Sequence, residues 1–159
     1  MENLKLIAAV GKNNELGRKN DLCWRIKEDL RFFRDTTMGH YILVGENTYK
    51  SMPSKLPGRR YLVLSPTMQS NEDRTVFGTL ESFIEFAKST DELIFVSGGA
   101  MVYGLMIPYV SEIILTEING TADADVFFPS FDKSNWKISS RNSFTDGDLA
   151  YDRVVYIRK

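Results

Sequence analysis

Residues 92–110 read ELIFVSGGAMVYGLMIPYV: an apolar run, two adjacent glycines, then a helix-like segment. A strand with one wet face alternates apolar and polar residues, and "LIFV" does not. Such a run predicts burial on both faces, as in a largely parallel sheet. The run "IILT" inside "SEIILTEI" (111–118) has the same character. A glycine doublet that closes a buried strand and opens a helix lies where an α/β sheet brings its backbone close to a phosphate or a flat ring. Gly98-Gly99 is not a full GxGxxG, and a plain strand-to-helix turn explains it equally well.

Working outward, strand-like runs recur as "LKLIAAV" (4–10), "YILVG" (41–45) and "RYLVLS" (60–65). The helix-like segments "KEDLRFFRDTT", "ENTYKSM" and "TLESFIEFAKS" lie between them, so strand and helix alternate. After Ile118 comes a long turn-rich connection, "NGTADADVFFPSFDKSNW". It leads to the strand candidates "WKISSRN" and "YDRVVYIRK", separated by "FTDGD". A Gly-containing turn between two strands predicts a hairpin that adds antiparallel edge strands. The expectation is one α/β domain over 1–159: a mostly parallel mixed sheet, a C-terminal antiparallel hairpin and helices on both faces.

The chain has 159 residues, 43% hydrophobic and 12% aromatic, enough for a real core in a single domain. Formal charge is −1, and Lys and Arg form no basic stripe, so neither nucleic acid nor a membrane surface is the expected partner. A small molecule is. One cysteine, Cys23, excludes an internal disulfide, and a single histidine, His40, argues against metal catalysis. No signal-peptide pattern opens the chain and no apolar run is long enough to span a bilayer, so a soluble, cytoplasmic protein acting as a monomer is expected.

The stretch "LCWRIKEDLRFF" (22–33) poses the main chemical question. At about 100° per residue, Ile26, Leu30 and Phe33 form one stripe, and Asp29 falls between the directions of Phe32 and Phe33. Lys27, Glu28, Arg31 and Arg34 project the other way, so a solvent face already exists and Asp29 is not on it. One reading is an acid that complements the helix dipole; the other is a carboxylate turned into a site. Nucleophilic catalysis has little support. Cys23 reads as a small apolar side chain, and Ser97 has no evident base. "VGENTYKS" repeats the strand-glycine-helix arrangement, with Thr48 near a helix start where hydroxyl and free N–H groups could hold a diphosphate. Two such sites in one small sheet favour a dinucleotide.

Taken in order, "LIAAVGKNNELG", "CWRIKEDLRFF", "ILVGENTYKSM", "LPGRRYLVLS", "FVSGGAMVY", "IILTEI" and "ADVFFPSF" resemble the bacterial dihydrofolate reductases over essentially the whole chain. The resemblance implies reduction of 7,8-dihydrofolate by hydride transfer to C6 and protonation at N5. It makes Asp29 the carboxylate that accepts paired hydrogen bonds from the pterin 2-amino group and N3, and the only ionisable group facing the ring. Leu22 would lie over the ring, and Trp24 would hold a water near Asp29, both in a gating loop. The backbone of Ile7, with Ser97, Tyr103 and Thr116, would complete the pterin contacts, Thr116 acting through Asp29 or water. Leu30, Phe33, Met52 and Leu56 would line the aminobenzoyl path, and Arg59 would clamp the glutamate α-carboxylate with its fork.

For NADPH the resemblance implies Ala9, Leu16 and Gly17 near the nicotinamide. It places Gly45, Glu46, Asn47, Thr48, Leu64, Ser65, Pro66, Gly98, Gly99, Ala100, Met101, Val102 and Tyr103 along the rest of the cofactor, with a cis Gly98-Gly99 peptide. Asp125 would help order the neighbouring loop. Antifolate inhibitors are the other expected partners. Two departures stand out. Cys23 replaces the usual proline before the loop tryptophan, which removes a φ restraint. Positions that often carry basic or hydroxyl groups for the 2′-phosphate hold Glu46, Asn47, Pro66 and Met101, which predicts a weaker preference over NADH and leaves Ser65, Thr67, the amide of Asn47 and Arg74 as donors. The alternatives are a reductase of another heterocycle, such as the pyrimidine reductase of riboflavin synthesis, and a pterin- or nucleotide-binding module without turnover.

Overall fold

Strand β1 (Leu4–Val10) sends Leu4, Leu6 and Val10 into one apolar cluster and Ile7 into another, as the period of two requires when both faces are covered. The computed structural model describes residues 1–19, 21–52 and 57–159. Along them follow β2 (Glu15–Arg18), β3 (Asp21–Leu22), α1 (Lys27–Thr37), β4 (Tyr41–Gly45), α2 (Glu46–Ser51), β5 (Arg60–Leu64), β6 (Arg74–Phe77) and α3 (Leu80–Lys88). Then come β7 (Ile94–Val96), α4 (Ala100–Met106), β8 (Glu112–Ile118), β9 (Val126–Phe127), β10 (Trp136–Asp146) and β11 (Leu149–Arg158). The large sheet has the order β10-β11-β8-β1-β7-β4-β5-β6. Its pairings are parallel from β8 through β6 and antiparallel where β11 joins β8 and β10.

Helices cover both faces, as expected. Phe83 and Ala87 of α3 and Val102, Tyr103 and Met106 of α4 join Leu4, Leu43, Leu62, Val96 and Leu115 on one side. On the other, Phe32 and Phe33 of α1 pack on Ile7, Phe95 and Ile114, while Tyr49 of α2 packs with Ile42, Val44 and Val63. Burying these side chains stabilises the fold by roughly 1.5–3 kcal/mol each.

The sequence reading and the structure differ at several edges. Helix α4 stops at Met106 rather than reaching Val110, because Pro108 has no N–H to continue the ladder. The terminal strands run further than read, to Asp146 and from Leu149, with Gly147 at φ +60 in a two-residue turn. Strand β6 was not anticipated: it is four residues long, at the sheet edge and only partly buried, so it carries little pattern. The segment read as a loop before α1 contains β2 and β3, which form a small separate sheet with β9. Among the described residues, no helix is long and apolar enough to cross a membrane.

Candidate active site

Helix α1 lies over β1 and β8, anchored by Phe32 and Phe33 and by Ile26, its buried N-cap. That anchoring turns Asp29, in the first helical turn, toward the sheet, where its side chain is 18% exposed. Thr116, on β8, donates its hydroxyl to Asp29 Oδ1 at 2.5 Å, so the two residues are joined directly. Arg153 Nη2 donates to the same oxygen at 2.7 Å. Among the described residues, no donor reaches Oδ2. A carboxylate with one oxygen held and the other open can orient a ligand that offers adjacent N–H groups.

Arg153 was missed in the sequence, and it changes two expectations. Asp29 is not the only ionisable group at this end of the cleft. Glu28, expected on the solvent face, turns back and accepts from Arg153 Nη1 at 3.0 Å, Arg153 Nη2 at 2.8 Å and the Tyr151 hydroxyl at 3.0 Å. The Arg153 hydrogen bonds hold the Glu28 carboxyl below its ordinary range. Burial opposes the charge on Arg153, but the bonds to Glu28 and Asp29 outweigh it and raise its affinity for the proton. Burial first, and then the bond to Glu28, pushes Tyr151 up to about 12. A signal existed: in "YDRVVYI" a cation interrupts the row Tyr151, Arg153, Val155, which points to the same face as Thr116 and Ile114.

The remaining cleft residues take their predicted neighbourhoods unevenly. The Ile7 carbonyl accepts from the Tyr103 hydroxyl at 2.8 Å and keeps a second lone pair for a ligand. Burial pushes the Tyr103 hydroxyl well above the ordinary phenol range, so it acts as a donor. Trp24 packs half-buried with Ile26, Ile118 and Tyr151, while Leu22 on β3 is 48% exposed. Phe33 and Met52 pack against the Ile42–Val63 cluster, and Leu30 stays 38% exposed. Leu56 lies outside the described residues. Ser97 donates its hydroxyl to the Phe95 carbonyl and, among the described residues, bonds to no base.

Arg59 is buried, at 7% exposure, against the C-terminal turn of α1. Its Nε donates to Thr37 Oγ1 at 3.2 Å, Nη1 to the Pro57 carbonyl at 2.5 Å and Nη2 to the Arg34 carbonyl. Those bonds use three of five N–H groups and fix the plane of the guanidinium; among the described residues the other two donors meet no partner. Burial lowers its proton affinity, though a guanidinium stays charged at neutral pH.

The two glycine turns meet. Gly45, ending β4, donates its N–H to the Gly98 carbonyl at 2.8 Å, across neighbouring parallel strands. The Gly98-Gly99 peptide is cis, as expected, and Gly98 has φ +124, a region that favours glycine. A Cβ on Gly99 would come within 3.1 Å of Thr48 Oγ1, and one on Gly45 within 3.1 Å of Val102. The two turns pack this closely because both lack side chains. Ala100, Met101 and Val102 open α4 beside it, with Met101 77% exposed.

At the far end, Glu46 accepts from Lys50 Nζ at 2.8 Å, Thr67 Oγ1 at 2.8 Å and the Ser65 hydroxyl. Those donors, Lys50 first, hold its carboxyl at about 2. Leu64 ends β5, Ser65 is buried behind it, and Asn47 and Pro66 are exposed. Arg74 pairs with Tyr61 at the opposite end of β5, and its Nε is taken by the Gln69 carbonyl. It is a strand's length from Ser65, not beside it.

Of the residues expected beside the nicotinamide, Ala9 on β1 packs with the Trp24 cluster, and Leu16 and Gly17 lie on β2. Asp125 contacts the end of β2: Oδ2 accepts from the Lys19 N–H at 3.0 Å and its own N–H reaches the Gly17 carbonyl. Glu15, unforeseen, is 2% exposed and accepts from the N–H groups of Asn13 and Ala122, each at 2.8 Å. A separate concavity of about 600 Å³, lined by Lys12, Glu117, Lys133 and Asp152, contains none of the predicted site residues.

A family model described as dihydrofolate reductase matches residues 3–158. The dihydrofolate reductase of Bacillus subtilis (strain 168) is 34% identical, over 98% of this chain and 95% of its own length. That of Neisseria meningitidis serogroup A is 32% identical, over 99% of both. A solved structure of dihydrofolate reductase from Enterococcus faecalis, complexed with NADP(H) and RAB-propyl, superposes with a TM-score of 0.91 at 26% identity, covering 98% of this chain and 96% of that one. On that near end-to-end match, carrying a carboxylate, a buried arginine and a paired-glycine cradle, this chain belongs to the dihydrofolate reductase family and is an oxidoreductase that reduces dihydrofolate.

Proposed function

We propose that the reduction of 7,8-dihydrofolate runs in the cleft between α1 and the sheet, with Asp29 at one end and Arg59 at the other. Asp29 and Thr37, the residue that holds Arg59, are eight positions apart in α1, about 12 Å along its axis. A pterin held by Asp29 would then extend past Leu30, Phe33 and Met52 to a carboxylate on the guanidinium of Arg59. The observation that carries this reading is the Asp29–Thr116 bond, which pins one carboxylate oxygen and leaves the other for the ring.

The paired-glycine patch fits a nicotinamide dinucleotide, because its backbone can approach a diphosphate that side chains would exclude. NADPH, when bound, supplies the hydride for C6; NADH is accepted with reduced discrimination. The chain's own part is electrostatic. An anion beside the ring favours the N5-protonated substrate, and Leu22 and Trp24 partly shield that position from bulk water while solvent delivers the proton. Inhibitors that offer the same paired donors would compete at Asp29. We place the enzyme in the cytoplasm as a monomer, consistent with its single, unpaired Cys23.

Oxidation of NADPH, followed at its absorbance band with and without dihydrofolate, tests the reading. Steady loss that requires dihydrofolate supports it. Binding of both molecules without turnover would instead favour a non-catalytic module, and faster turnover of a ribosyl-phosphate pyrimidine would favour the other reductase.

A further inference from the structure

Arg153 reaches Asp29 from the sheet side. It is the register partner of Thr116 on the adjoining strand, so both side chains rise from the same face of the sheet and meet the same oxygen, Asp29 Oδ1. Its guanidinium stacks 3.8 Å from the Phe32 ring and 4.9 Å from the Phe144 ring. Glu28 forks the outer edge, and Tyr151, two residues away on β11, holds Glu28 in turn. The residue is 6% exposed, and its Nε is buried with no partner among the described residues. Leaving a buried donor unmet is destabilising. A side chain serving only to tie α1 to β11 would be better as an apolar residue between two aromatic rings.

We propose that Arg153 is a positioning residue for the reduction: it locks the Asp29 carboxylate in one orientation and offsets part of its negative charge, so that hydride transfer fades at a lower pH than Asp29 alone would give. This rests on the assignment of Asp29 to the pterin. Among the described residues, the charged and titratable groups that act on Asp29 or on its neighbour Glu28 are Arg31 on α1, Arg153 and Tyr151 on β11 and Tyr103 on α4. Tyr103 and Tyr151 are both pushed up and stay neutral through the range that matters, and Arg31 acts on Glu28. The balance therefore lies between Asp29, Glu28 and Arg153, which sum to −1. Protonation of N5 is favoured by the anions and opposed by the guanidinium. Arg153 touches Asp29 directly, whereas Glu28 is 40% exposed and partly screened by water, so the cation dominates the correction.

Single-turnover hydride transfer from NADPH to dihydrofolate, measured from pH 5 to 9 on the full chain, separates this role from a structural one. Arg153→Met should move the midpoint of the alkaline decline up by about one pH unit. Arg153→Lys, which keeps the charge, should return most of that shift. Glu28→Gln removes an anion from a half-exposed position and should move the midpoint down by about half a unit, which keeps the test alive if Arg153→Met does not fold. Lower melting temperatures with every midpoint within about 0.2 units of the parent would overturn the proposal and leave Arg153 as a brace. Asp29→Asn, run alongside, distinguishes the two failures: if it too leaves rate and profile unchanged, the assignment of Asp29 is what has failed.

Discussion

The Thr67 hydroxyl donates to Glu46 Oε1 at 2.8 Å. The same carboxylate takes the Ser65 hydroxyl and Lys50 Nζ, so the two hydroxyls that the sequence leaves for a 2′-phosphate are already committed to an internal anion. A phosphate arriving there brings roughly −1.5 to −2 charges against Glu46.

NADPH should therefore be preferred over NADH by a factor of only tens in kcat/KM. Two missing charge-assisted contacts correspond to about 3 kcal/mol, or roughly a hundredfold. Glu46→Gln removes the repulsion and releases Lys50, Ser65 and Thr67, so the ratio should rise; Met101→Arg should raise it as well. Kinetics with both cofactors at saturating dihydrofolate decide the matter, and a thousandfold preference in the parent enzyme would contradict the argument.

The order of strands and helices was legible because long, strongly patterned segments carry it: "LKLIAAV", "YILVG" and "KEDLRFFRDTT" match β1, β4 and α1 residue for residue. Short elements at edges were not: β6, β2 and β3 are too short to carry a pattern, and β9 finds its partner β2 only across most of the chain. In the site, Asp29 was readable as a misplaced charge on a helix. Arg153 was the same kind of anomaly on a strand, yet its meaning depends on the Thr116 register, which no local pattern supplies. Arg59 was read as a free clamp, and the structure shows its plane fixed by Thr37, Pro57 and Arg34 before any ligand arrives.

Arg59→Ala should weaken dihydrofolate by about 1.5–3 kcal/mol and a pterin lacking the glutamate tail far less. It should also lower the melting temperature, because the Arg34 carbonyl in the last turn of α1 and Thr37 lose their donor. Comparison of the two dissociation constants is the check. Equal weakening of both ligands would mean that Arg59 acts only on the helix end.

Glu15 ties the loop after β1 to the segment at Ala122, and Gly11 must be glycine there because a Cβ would come within 2.5 Å of Trp24 Cη2. Burial alone would raise the Glu15 carboxyl, but the N–H groups of Ala122 and Asn13 outweigh it and hold it below its ordinary range. A depressed acid contributes stability above its unfolded value and loses it as pH falls through the folded one. Glu15→Gln should thus cost about 1–3 kcal/mol at neutral pH and speed amide exchange at Ala122, the gap to the parent closing in acid. Denaturant melts at pH 7 and pH 3 test this; an equal gap at both would contradict it.

The central claim is that Asp29 stabilises the protonated pterin. Hydride transfer by Asp29→Asn, measured against the parent from pH 5 to 8, examines it most directly. A neutral amide in place of the carboxylate should cost about 3 kcal/mol in the barrier, roughly a hundredfold in rate at pH 7. The deficit should shrink as pH falls and the substrate arrives already protonated. Unchanged turnover of a folded Asp29→Asn variant across that range would contradict the account.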